Sequence, residues 1–145
     1  MANFSCHYSQ PAIPFAHAWE HTVGSGHAPL ALRADWQRQL EQAHRELGFR
    51  YVRFHAILSD PMGTMLIEMG KPLYSFFKAD SIIDFLLSIG MRPFVELSFM
   101  PEALASGDTT VFYYRANVTP PKDDETWETM IDKLLRHWVD RYGLP

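Results

Sequence analysis

The chain has 145 residues, 47% hydrophobic and 21% charged, with a formal net charge of −4. That composition excludes a disordered tail and gives a polyanion such as nucleic acid no electrostatic handle. The length suffices for one domain with a real core, Cys6 is the only cysteine, so no intrachain disulfide can form, and no run of about 18 apolar residues offers a membrane span.

The opening stretch, Met1 to Gln10, lacks a basic region followed by an apolar run. No secretory signal is expected, and a cytoplasmic location is the default. From Phe15 to Thr22 the residues Phe15, His17, Trp19 and His21 share one parity, with Ala16, Ala18 and Glu20 on the other. This alternation predicts a first strand, with Trp19 as a core residue. Gly24-Ser25-Gly26-His27 then reads as a flexible loop carrying a histidine. The fuller glycine-rich patterns of phosphate loops are absent, which argues against nucleotide binding.

A helix is predicted from Arg33 to Leu47, where Trp36, Leu40, Ala43 and Leu47 form one apolar stripe and Gly48 is the stop. A strand follows over Arg50–Ala56. Its period of two puts Arg53 and His55 on one face and Val52 and Phe54 on the other. Polar side chains on an otherwise apolar strand are costly to bury without partners, so their face is expected to line a lumen that opens into a ligand site. Two short apolar pieces between Met65 and Tyr74 flank Gly70-Lys71 and predict a hairpin. A second helix is predicted over Lys78–Ile89 and a third strand over Pro93–Ser98. Met100 to Lys122 is a long Pro-, Gly- and Thr-containing loop of the kind that carries function. Asp123 and Asp124 open a third helix, favourable at its positive end.

Leu47-Gly48-Phe49-Arg50, Ile89-Gly90-Met91-Arg92 and Tyr142-Gly143-Leu144-Pro145 are versions of one joint. Tight helix-to-strand turns alternating with longer strand-to-helix loops predict parallel βαβ units. Three helices on one face would leave the other face of a parallel sheet bare. A (β/α)8 barrel needs about 250 residues. The expected fold is therefore α/β, with residues 1–145 forming the N-terminal portion of such a barrel, about three βα units, truncated before strand four. The remainder of the barrel, or a partner chain, is expected to close it. Arg53 and Glu96 share parity on neighbouring strands, so a lumenal ion pair is expected rather than a catalytic Glu96.

Several segments resemble the N-terminal part of glycoside hydrolase family 39, the β-xylosidase and α-L-iduronidase family, most nearly its xylosidase branch. They are Val23-Gly24-Ser25-Gly26, Leu30 to Trp36, Leu47 to His55, Arg92 to Leu97, Phe99-Met100-Pro101, Ala103 to Asp108, and Asn117 to Asp123. The resemblance runs from about Phe15 to the end and spans less than half of a typical member. It implies a retaining hydrolase that works through two glutamates, one in a Trp-Asn-Glu-Pro motif at the end of strand four and one near the end of strand seven. Neither motif is present, so no catalytic residue is assigned within the chain.

Sugar-binding residues are expected instead. His55 ends a strand, where barrel sites lie, and the resemblance implies that it holds the sugar. His27 follows the first strand and is placed to reach a hydroxyl. Phe99, Phe112, Tyr113 and Tyr114 offer an apolar wall for a sugar ring, with Phe99 and Tyr114 as the principal choices. His7, His17, His21 and His44 show no metal spacing, and neither a metal nor a cofactor is expected. The expected partner is a carbohydrate, a xyloside or xylo-oligosaccharide. Three functions stay open at this point: a β-xylosidase-like fragment inactive alone, a carbohydrate-binding module without turnover, and a split-barrel half that needs a partner chain.

Overall fold

A computed structural model of the chain describes residues 2–143. The first strand, β1, is Thr22–His27, followed by a 3-10 turn over Ala28–Leu32 and helix α1, Ala34–Leu47. Strand β2 is Tyr51–His55; a hairpin of β3, Met65–Glu68, and β4, Lys71–Tyr74, leads to α2, Phe77–Ser88, and β5, Arg92–Val95. A short hairpin of β6, Thr110–Val111, and β7, Ala116–Asn117, precedes α3, Asp124–Tyr142.

β1, β2 and β5 form one parallel sheet in that order. The expected adjacency of three parallel strands is borne out. The expected first strand is not: it lies over Thr22–His27 and not Phe15–Thr22. Phe15 to Glu20 has no strand beside it and folds through a 3-10 turn over Ala18–Glu20. Sheet bonding begins only where the carbonyls of Glu20 and His21 accept the Arg50 and Tyr51 N–H groups, at 2.8 and 3.0 Å. Trp19 accordingly is not a core residue; it is 41% exposed and stacks on His17 at 4.5 Å.

The Gly24-Ser25-Gly26 run is strand through its parallel pairing with β2. A Cβ on Gly26 would lie 2.9 Å from Leu30 Cδ1. The Trp36 indole N–H donates to Ser25 Oγ at 3.0 Å, which ties α1 to the same run. Close packing favours glycine at position 26, at the expense of strand propensity, whereas a Cβ at Gly24 would meet open space.

One face of the sheet carries the core. Val52 and Phe54 are buried in a cluster with Leu40 of α1, Ile82 and Leu86 of α2, and Met130 and Leu134 of α3. The other face is open: the Arg53 side chain is 55% exposed and Phe94 is 52% exposed. The expected division of β2 into a core face and a polar face is thus observed. Helices α1 and α2 run into β2 and β5 through glycines in the left-handed conformation, Gly48 at φ 76° and Gly90 at φ 79°. The third such joint reaches Leu144 and Pro145, which lie outside the described residues.

α3 is tied to α2 by polar contacts. His137 Nε2 lies 2.8 Å from Asp80 Oδ2, and Arg141 Nη2 donates to Asp84 Oδ2 at 2.7 Å. The Tyr142 hydroxyl donates to Asp84 Oδ1 at 2.8 Å. Asp123 caps the helix, accepting the Thr126 N–H at 3.1 Å.

Candidate functional site

His27 and His55 end neighbouring strands and are direct partners in the β1–β2 register. Simple alternation would not produce this. Thr22 faces Tyr51 and Gly24 faces Arg53, so Gly26 would be the residue next to His55. A register shift between Gly24 and His27 adds one residue to β1. That extra residue turns His27 from the core face to the open face, because a slip of one reverses the side of every side chain beyond it.

After His55 the chain leaves the sheet sharply. Ala56 adopts φ 67°, in the left-handed region. Its N–H donates to Ser98 Oγ at 3.1 Å, and the Leu58 N–H donates to the Ser98 carbonyl at 2.9 Å. Ser98 therefore fixes the exit of β2 against the end of the neighbouring strand. The Ser98–Phe99 peptide bond is cis.

The long loop is ordered by its own hydrogen bonds. Asn117, 6% exposed, donates through Nδ2 to the Gly107 carbonyl at 2.8 Å and accepts the Thr119 N–H at 2.9 Å. Its carbonyl accepts the Met100 N–H at 3.1 Å, so β7 is fastened to the segment that follows β5. The β6–β7 tip, residues 112–115, is thereby held over the strand ends. It turns through Phe112 at φ 59° and Arg115 at φ 53°.

This tip meets the two histidines. The Tyr114 hydroxyl lies 2.8 Å from His55 Nε2. The Tyr114 ring packs on His27 with centroids 4.3 Å apart. Phe112 is parallel to His55 within 16° at 6.0 Å, and Phe99 meets His55 edge-on at 5.6 Å. All four residues expected to bind substrate, His27, His55, Phe99 and Tyr114, are thus brought together. Phe112 and Tyr113 complete the same aromatic group; Tyr113 stands edge-on to Tyr114 at 5.1 Å. Sequence reasoning missed the fastening roles of Ser98 and Asn117, which no local pattern marks.

Burial, and then the nearby His55, lower the His27 pKa, so its neutral form is favoured. Burial, and then Tyr113, raise the Tyr114 pKa, so the phenol keeps its proton. Arg53 Nη2 lies 3.2 Å from Glu96 Oε1, the expected ion pair across neighbouring strands. Asp60 accepts the Glu102 N–H at 3.2 Å. Beside Tyr114 lies a cleft of about 270 Å³, bordered by His27, Asp60, Glu102, Arg115 and Asn117. Among the described residues no group of three or more His, Cys, Asp or Glu could hold a metal ion. The arrangement combines ring nitrogens able to give or accept hydrogen bonds with apolar ring faces.

The model of the family described as "Glycosyl hydrolases family 39" matches residues 5–145. The chain belongs to glycosyl hydrolase family 39. It is 56% identical over 126 residues to a β-xylosidase of Caldicellulosiruptor saccharolyticus, covering 86% of this chain and 26% of that protein. A β-xylosidase of Geobacillus stearothermophilus is 43% identical over 134 residues, covering 90% of this chain and 27% of that protein. Among solved structures, a monomeric β-xylosidase from Caulobacter crescentus CB15 superposes with a TM-score of 0.83 at 42% identity, over 86% of this chain and 25% of that one. The chain thus spans about a quarter of the length of these family 39 relatives.

Proposed function

We propose that this chain is the sugar-holding opening portion of a retaining β-xylosidase, built as the first three βα units of a (β/α)8 barrel. The observation that carries the reading is the pairing of His27 with His55 beneath the Phe99, Phe112 and Tyr114 rings, at the end of a parallel sheet where barrel sites lie. The substrate on this reading is a terminal β-xyloside. The histidines bond its hydroxyls and the rings cover its C–H face. The nucleophile and the acid/base glutamate come from later strands, since retention needs two carboxyls roughly 5–5.5 Å apart across the anomeric carbon.

A closing partner is part of the proposal. An apolar groove of about 490 Å³ runs beside β5 and α3, bordered by Leu87, Pro93, Val95, Leu135 and Trp138. The Trp138 indole N–H is buried without a hydrogen-bond partner among the described residues. Both features support a further segment packed there, whether joined to this chain or supplied by a second one.

The test is an assay of the purified 145-residue chain on a chromogenic xyloside, beside a version extended downstream through strands that carry the two glutamates. The short chain should show no turnover above background and the extended one should be active. Turnover by the short chain that disappears on Glu96→Ala or Asp60→Ala would overturn the assignment. A short chain that binds xylosides, with an extended one that does not hydrolyse them, would instead favour a binding module.

A further inference from the structure

Tyr114 does more than extend the aromatic wall. Its hydroxyl reaches His55 Nε2 at 2.8 Å and makes no other hydrogen bond among the described residues. His55 Nδ1 likewise has no hydrogen-bond partner within the described chain, so it is the ring nitrogen left for a ligand. The Tyr114 ring packs against three others. His27 lies 4.3 Å away, Phe112 5.2 Å, and Tyr113 5.1 Å with its ring nearly perpendicular. Beyond the exposed Arg115, Ala116 and Asn117 are buried and anchor the tip.

A neutral imidazole carries one proton, and the partner of one nitrogen decides what the other presents. A phenol has one proton to give. With no competing acceptor, donating it to Nε2 is the arrangement that satisfies both groups. The ring proton must then sit on Nδ1. The raised phenol pKa acts in the same direction, since it keeps the donated proton on Tyr114.

We propose that Tyr114 is a positioning residue: its hydroxyl donates to Nε2 of His55, holds the imidazole in the Nδ1–H tautomer, and so presets His55 as a hydrogen-bond donor to a sugar hydroxyl oxygen. This rests on the reading of His55 as a sugar-facing residue. The consequence for specificity is directional. A hydroxyl that accepts from Nδ1–H must send its own proton elsewhere, so the preset donor dictates how that sugar hydroxyl is oriented once bound. Without the tyrosine the imidazole samples both tautomers, and free imidazole side chains favour Nε2–H.

The experiment is long-range proton–nitrogen correlation NMR of the 15N-histidine-labelled 145-residue chain, at a pH where the ring is neutral, with and without Tyr114→Phe. The wild-type His55 pattern should be that of Nδ1–H, and the variant should shift toward Nε2–H with its backbone spectrum otherwise preserved. A wild-type Nε2–H pattern overturns the proposal and needs no variant to read. Methyl β-xyloside titration is the second arm. Affinity should fall about fivefold in Tyr114→Phe, the worth of one oriented hydrogen bond. His55→Ala should lose at least as much. A tautomer shift with unchanged affinity overturns the positioning role. Unchanged affinity in His55→Ala, with the tautomer as stated, overturns the sugar-facing reading of His55 and leaves the hydrogen-bond direction established.

Discussion

Phe112 offers a way to separate binding from folding. The residue is 61% exposed, its ring lies against His55 and Tyr114, and its backbone sits at φ 59°. Truncating the ring removes aromatic pairing worth about 0.5–1.5 kcal/mol. The backbone conformation adds a second effect that depends on what replaces it. Alanine at a left-handed position bears a penalty of roughly 1–2 kcal/mol that glycine escapes. Glycine gives back about 0.4–1 kcal/mol through the greater freedom of the unfolded chain. Phe112→Gly should therefore be more stable than Phe112→Ala by about 1 kcal/mol. Both variants lack the ring, so both should weaken methyl β-xyloside binding equally, by about threefold to tenfold. Urea denaturation gives the stability order and calorimetric titration gives the affinities. An alanine variant as stable as the glycine one would refute the conformational argument. Unequal affinities would show that tip flexibility, and not the ring face, governs binding.

Phe54 is 1% exposed in the main core, and Phe54→Ala should cost about 3–5 kcal/mol, seen as a lower denaturation midpoint. Gly48→Ala should cost roughly 1–2 kcal/mol, because φ is 76° and the new Cβ would lie 3.0 Å from Glu20 Cγ; Glu20→Ala should relieve the crowding but not the backbone penalty. His27 supplies a pH dependence. Its folded pKa is below the ordinary 6.5, so as pH falls through 6.5 the unfolded chain takes up a proton that the folded chain resists. That contribution to stability is full above pH 6.5 and is lost as pH drops toward and through the folded pKa, so the wild-type loss on acidification should exceed that of His27→Gln.

The periodic parts of the fold were legible in the sequence. The stripe of α1, the acidic start of α3, the alternation of β2, and the Leu47-Gly48 and Ile89-Gly90 joints each follow from local chemistry, and each lies within a residue or two of its expected place. The first strand lies later than expected because Phe15, His17, Trp19 and His21 alternate without any strand to pair with, whereas Gly24-Ser25-Gly26 has low strand propensity yet lies beside β2 in the sheet, with Trp36 bonded to Ser25. The site was legible as a set of residues and not as an arrangement. His55 and Tyr114 are separated by 59 positions, and nothing local to either announces their hydrogen bond. Arg53 and Glu96 could be paired in advance only because their strands are adjacent and their parities agree.

The one-residue register shift in β1 has a bearing on how this site can change over time. The side of the sheet on which His27 emerges depends on two things together: how many residues separate it from Gly24, and whether the run between them bulges. Deleting either Ser25 or Gly26 would bring the histidine to the position that plain alternation already sets beside His55, on the same open face, because the residue lost and the bulge lost offset each other. Straightening the ladder at the present length would instead turn the imidazole toward the helix-packed side, among Val52 and Phe54. The length of this short run and its bulge can therefore change only as a pair if the histidine is to keep its side.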